Sequence, residues 1–88
     1  MTIKAAANGN IQLEGICPIE DAEPFLSLLS ANPRAAIDWR GCRQAHSAII
    51  QLLLVIDPAR LLGPPAGEIL RTLIEPIVKA HKTAASFH

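Results

Sequence analysis

His46 and Ser47 stand side by side, with Asp38 a short distance upstream. Imidazole, hydroxyl and carboxylate are the groups of nucleophilic hydrolysis, so a small hydrolase using His46 and Ser47 is one reading to weigh. It is weak on physical grounds. Adjacent side chains at a helix start point in different directions, and no Gly-x-Ser-x-Gly turn raises the hydroxyl above a sheet. The plainer reading of His46 is a solvent-exposed surface histidine; pH-sensitive partner binding is a separate, functional reading of the same residue. Ser47 has two readings. As a helix N-cap, its oxygen takes a backbone N–H and contributes about 1 kcal/mol. As a regulatory hydroxyl, it would carry a phosphate that faces unpaired N–H groups and the positive end of the helix dipole.

Other reactive residue types are sparse. Cys17 and Cys42 are too far apart for a CxxC motif and too few for a disulfide framework or a zinc site, so they read as small buried hydrophobes in a reducing compartment rather than as redox residues. His46, His81 and His88 lack metal-ligand spacing, and no metal or cofactor is expected. Arg34, Arg40 and Arg43 bracket a strand and loop; they are solvated loop ends or a small positive rim for an acidic partner or a phosphate. The run Gly63-Pro64-Pro65-Ala66-Gly67 is no phosphate loop, because its prolines lack the N–H donors such a loop needs.

The elements that must position these residues follow from periodicity. Ile3, Ala5 and Ala7, then Ile11 and Leu13, alternate on either side of Asn8-Gly9, which predicts a hairpin with a type I′ turn. Gly15 is expected to release the chain from the sheet. Ala22, Phe25, Leu26 and Leu29 share helical spacing, and Pro24 fits only a first turn, so a helix begins between residues 20 and 22 and ends at Asn32-Pro33. Alternation returns over 34–39 as a short central strand, followed by a polar loop over 40–44. Residues 48–56 form an apolar helix with Ser47 as N-cap and Asp57-Pro58 as stop, enclosed on most sides. Residues 60–62 are a short strand. Ile69, Leu70, Leu73, Ile74, Ile77 and Val78 form a last helix that ends or kinks near Glu75 because of Pro76, and the tail over 83–88 frays. The order β-β-α-β-α-β-α implies a single α/β domain over 1–88, with a small mixed four-stranded sheet and three helices.

Composition removes several functions. Of 88 residues, 50% are hydrophobic, and eight basic residues balance eight acidic ones, so the chain is neither disordered nor basic enough to hold nucleic acid. Three aromatics offer no stacking platform for bases. The longest apolar run, 48–56, is under half a membrane span, and Met1-Thr2-Ile3-Lys4 opens no secretory signal, so no membrane insertion and a cytoplasmic setting are expected. Leu28 and Ile69, on outer helix faces, suit a monomer and a dimer equally.

The stretch from Ile37-Asp38-Trp39-Arg40-Gly41-Cys42-Arg43-Gln44-Ala45-His46-Ser47-Ala48 to Ile49-Ile50-Gln51-Leu52-Leu53 resembles the core motif of the STAS family, named for sulfate transporters and anti-sigma-factor antagonists. There a strand ending in Asp leads through a Gly-containing loop to an Asp-Ser-Ser-Gly or Asp-Thr-Ala-Gly step that opens an apolar helix. The resemblance makes Asp38 the strand-end Asp, Gly41 the loop glycine, Ser47 the phospho-acceptor and Ala48 the small residue after it. Two positions depart: His46 stands for the usual Asp and Ile49 for the usual Gly. It implies a non-enzymatic, bacterial-style signalling module that binds a kinase-type anti-sigma factor or related switch protein through Arg43, Gln44, His46, Ser47 and Ile50. The family implies a second role, the small soluble subunit on the ATPase of a lipid-transport ABC complex. That role needs no phosphorylation and suits both departures.

Overall fold

The computed structural model describes residues 2–85, with side chains through Ala80. It has a four-stranded mixed sheet and three helices. Strand β1 (Ile3–Ala5) runs antiparallel to β2 (Ile11–Cys17); β3 (Ile37–Ala45) lies parallel to β2, and the two-residue β4 (Leu61–Leu62) parallel to β3. The sheet order is β1-β2-β3-β4. Helix α1 (Ala22–Ala31) contacts α2 (Ser47–Leu54), and α2 contacts α3 (Glu75–Ala85), so α2 is the middle helix of the layer. Among the described residues, no helix is long and apolar enough to cross a membrane.

The core follows the alternation of the strands. Ile3, Ile11, Leu13, Ile37 and Trp39 turn into one cluster with Phe25 of α1 and Ile49 and Leu53 of α2, all at most 1% exposed. Leu26, expected inside, is half exposed, and Leu28 packs on the core in its place. Pro24 sits in the first turn of α1, as its missing N–H requires. Arg60 holds the chain between α1 and β3, donating from its guanidinium to Ala35 O (2.8 Å) and Asn32 O (3.2 Å).

Several boundaries differ from the sequence reading, each for a physical reason. In the first hairpin Gly9 alone takes positive φ (+89°), and the Gly9 N–H donates to Ala6 O, so the turn is not type I′, which needs two such residues. Asn8 instead accepts the Asn10 N–H on its side chain, and β1 ends at Ala5. Gly15 (φ +71°) does not release the chain; it sits within β2, which continues to Cys17. The expected loop over 40–44 is strand: nine residues of β3 lie against seven of β2, with register shifts after Gln12 and after Gly15. Each shift leaves an extra residue on β3, so its inward positions run Ile37, Trp39, Cys42 and Ala45.

Helix α2 stops at Leu54, two residues early, and Val55 beyond it is 76% exposed. Asp57 caps the next short turn, accepting the Ala59 N–H. Pro76 does not end the last helix. A π-helical turn over Leu70–Ile74 precedes it, and the Glu75 N–H reaches Leu70 O. That wider turn admits a residue that lacks an N–H and would collide with the carbonyl four positions back. Leu70 and Val78 face the core, while Ile69, Leu73 and Ile77 are exposed. Of the tail expected to fray, 86–88 lie outside the described residues, as do the side chains of His81 and His88.

Candidate functional site

The site is built where β3 hands over to α2. His46 is extended (φ −60°, ψ 150°), and its N–H donates to Cys17 O at 2.9 Å. Its C=O accepts from Ile49 and Ile50, and its Nδ1 accepts the Ala48 N–H at 3.0 Å. His46 is therefore the N-cap, and Ser47 is the first helical residue. This corrects the expectation that Ser47 caps the helix. Nδ1 is bonded to Cγ just as an Asp or Asn oxygen is, so the imidazole reaches the same backbone N–H from the same position. Relieved of capping, Ser47 is exposed, and its hydroxyl has no hydrogen-bond partner among the described residues.

The capping bond also bears on hydrolysis. A neutral His46 that accepts at Nδ1 carries its proton on Nε2, and that proton leaves neither nitrogen ready to take one from Ser47. Asp38 lies far away. It pairs with Gln12, near the start of β3, whereas Ala45 beside His46 pairs with Cys17 at the other end. Asp38 instead clamps Arg40: Oδ1 accepts from the Arg40 N–H (3.1 Å) and Nε (3.0 Å), and Oδ2 from the terminal nitrogen (2.9 Å). The guanidinium holds the Asp38 carboxyl below its usual range. Gly41 sits in β3 rather than in a loop, and a Cβ there would press the Glu14 side chain at 3.2 Å. Nor do the arginines form one rim, since Arg34 and Arg43 lie at opposite ends of β3.

The structure does bring Arg43, Gln44 and Ile50 together. With Ala45, Ile69, Leu70 and Ile74 they line a groove of about 240 Å³ between the end of β3, α2 and the π turn. Ser47 and Ile50 are three residues apart on α2 and so share a helix face, although neither Ser47 nor His46 lines the groove itself. Exposed Ile69, Leu73 and Ile77 extend the apolar surface along the last helix. Ala48 is half-buried behind Ser47, and Ile49 is wholly buried. Among the described residues, no group of three His, Cys, Asp or Glu side chains is placed to hold a metal.

Two features escape the sequence reading. Cys17 and Cys42, both reduced and buried, place their sulfurs 3.8 Å apart. Continuing the period-2 pattern of Ile11 and Leu13 would have put Cys17 on the inner face; the bulges in β3 hid Cys42. Either thiol can donate across the pair, and the Cys42 S–H also reaches Gln44 O at 3.4 Å; the pairing pulls the Cys17 thiol down to about 7, opposed by burial, while the pairing and burial together push Cys42 up. The second feature is a cleft of about 190 Å³ beside Trp39, lined also by Gly63, Pro64, Glu75 and Lys79. The indole Nε1 is buried with no partner among the described residues, and a Cβ on Gly63 would lie 2.5 Å from it.

Comparison with protein-family models, with curated proteins and with solved structures gave no match.

Proposed function

We propose that this chain is a non-enzymatic, cytoplasmic protein-interaction and regulatory module of the anti-sigma-factor-antagonist kind, switched by phosphorylation of Ser47. The observation that carries the reading is the division of labour at the start of α2. His46 takes over capping, which leaves the exposed Ser47 hydroxyl uncommitted, one helical turn before the groove residue Ile50. His46 stands where the resembling family has Asp, and through Nδ1 it does the capping work a carboxylate would do. The second departure, Ile49, is wholly buried and leaves the surface unaltered.

A phosphate on Ser47 adds nearly two negative charges to a helix start that has no acidic residue in its first turn. Arg43, exposed, lines the groove. Docking of a switch kinase or anti-sigma factor over Arg43, Gln44, Ile50 and the first turn of α2 would then be released by charge at one position.

Affinity capture with wild type, Ser47→Ala and Ser47→Asp, together with intact-mass analysis of the captured bait, tests this. A partner kept by wild type and Ser47→Ala but lost by Ser47→Asp supports the switch. Equal capture by all three rules it out. If that partner is then a transporter ATPase, the subunit role in a lipid-transport complex takes its place.

A further inference from the structure

Cys17 ends β2, and Cys42 lies in the bulged half of β3. Their sulfurs meet at 3.8 Å inside the core, at 1% and 0% exposure, and their backbone carbonyls hold the two sides of the groove. Cys17 O accepts the His46 N–H at 2.9 Å, which fixes the entry to α2. Cys42 O accepts the Gly67 N–H at 3.0 Å, which fixes the segment leading into the π turn. Gly67 has no slack, because a Cβ there would stand 1.8 Å from Arg43 O.

We propose that Cys17 and Cys42 are an oxidisable dithiol, which hydrogen peroxide converts to a disulfide that shifts both groove walls. The burial of both sulfurs selects an oxidant of peroxide size over a bulky disulfide. Cys17, the sulfur more easily ionised, attacks one peroxide oxygen; the O–O bond breaks, an S–O bond forms, and the departing hydroxide takes a proton to leave as water. Cys42 sulfur then attacks the sulfenic sulfur, forming the S–S bond and releasing a second water that carries its proton. The dithiol gives up two electrons and peroxide is reduced to two waters.

Bond formation needs the sulfurs to close from 3.8 Å to about 2.05 Å. A close-packed interior passes that movement to the neighbouring backbone rather than absorbing it in a void. Outside the β2–β3 ladder, the backbone bonds these two residues make are those to His46 and Gly67. The effect on partner binding rests on the interaction reading above, but the dithiol chemistry does not.

The test treats the folded protein with hydrogen peroxide, denatures it, blocks free thiols with N-ethylmaleimide and weighs the intact chain. The expected product is monomeric, takes up no maleimide and is about 2 Da lighter than the reduced chain, with dithiothreitol reversing the change. Cys42→Ala should yield no such species. Two maleimides on every chain, oxygen adducts on cysteine in place of the 2 Da loss, or disulfide-linked dimers would overturn the proposal. Amide exchange then tests the coupling: the His46 and Gly67 N–H groups should change exchange rate several-fold between reduced and oxidised protein. Unchanged rates at both overturn it. Neither measurement involves a partner, so each can fail while the Ser47 switch stands, and the reverse.

Discussion

From Ile37 to Trp39, β3 alternates regularly, lies between β2 and β4, and sends two large side chains into the core. From Gly41 to Ala45 the same strand is bulged, has lost β4 as a neighbour, and on that side accepts, among the described residues, one backbone bond, from Gly67. The first half has the chemistry of a core, whereas the second ends at the His46 cap and carries Cys42 and the groove residues Arg43 and Gln44. Regular pairing fixes side chains on two faces and leaves nothing to aim. The bulges re-aim the strand end, so the candidate site sits on rigid sheet rather than on a free loop.

Substitution can separate the halves. The largest effect is expected from Trp39→Ala, which empties a fully buried position and should cost about 3–5 kcal/mol by chemical denaturation. Trp39→Phe is the sharper control: because the indole N–H has no partner among the described residues, the loss should stay below about 1.5 kcal/mol. A large loss in the Phe variant would show that Nε1 has a partner that matters.

Gly67→Ala probes the other half. Its Cβ would fall 1.8 Å from Arg43 O, so the segment must leave β3 and give up the bond to Cys42 O. A loss of about 1–3 kcal/mol is expected, with chemical-shift changes centred on 42–46 rather than on 37–39. Changes spread evenly along β3 would erase the distinction between its halves.

The element order was legible because it rests on period 2 and period 3.6 in apolar residues, and Ile11, Leu13, Phe25, Ile37 and Leu53 supply those periods cleanly. The second half of β3 was not. Two bulges space its inward residues as Trp39, Cys42 and Ala45, three apart, which matches no strand template and reads as a polar loop. The candidate surface was half legible. Arg43, Gln44 and Ile50 do meet, but Ile69, Leu70 and Ile74 join them only through a parallel crossover and a π turn that no local pattern announces. Ser47 is the cap that residue-type preference selects, while the bond itself needs only an acceptor within reach of the N–H, which Nδ1 of the exposed His46 supplies.

That last point predicts opposite behaviour for adjacent residues. His46→Ala removes the acceptor for the Ala48 N–H and should cost about 1 kcal/mol, read as a fall in thermal midpoint, while His46→Asn should recover most of it. Ser47→Ala should change stability by a few tenths of a kcal/mol at most, since an exposed hydroxyl without a partner has little to lose. Reversed magnitudes would return the cap to Ser47 and remove the free hydroxyl on which the proposed switch depends.

The smallest effect belongs to the regular half and sits on its outer edge. The Asp38 carboxyl is held below the ordinary aspartate value of about 3.9 by the Arg40 guanidinium. A carboxyl whose pKa is lower in the folded chain than in the unfolded one binds fewer protons when folded. Its contribution is therefore complete above about pH 4 and disappears as the pH falls through the folded value. Arg40 is exposed, so solvent and salt screen the pair and little stability rides on it at neutral pH. Asp38→Asn should leave the neutral-pH midpoint almost unchanged and flatten the acid limb of the stability curve, with the difference from wild type shrinking in high salt. An acid limb identical to wild type would mean that the clamp contributes nothing to folding, and that the N-terminal half of β3 depends on its apolar face alone.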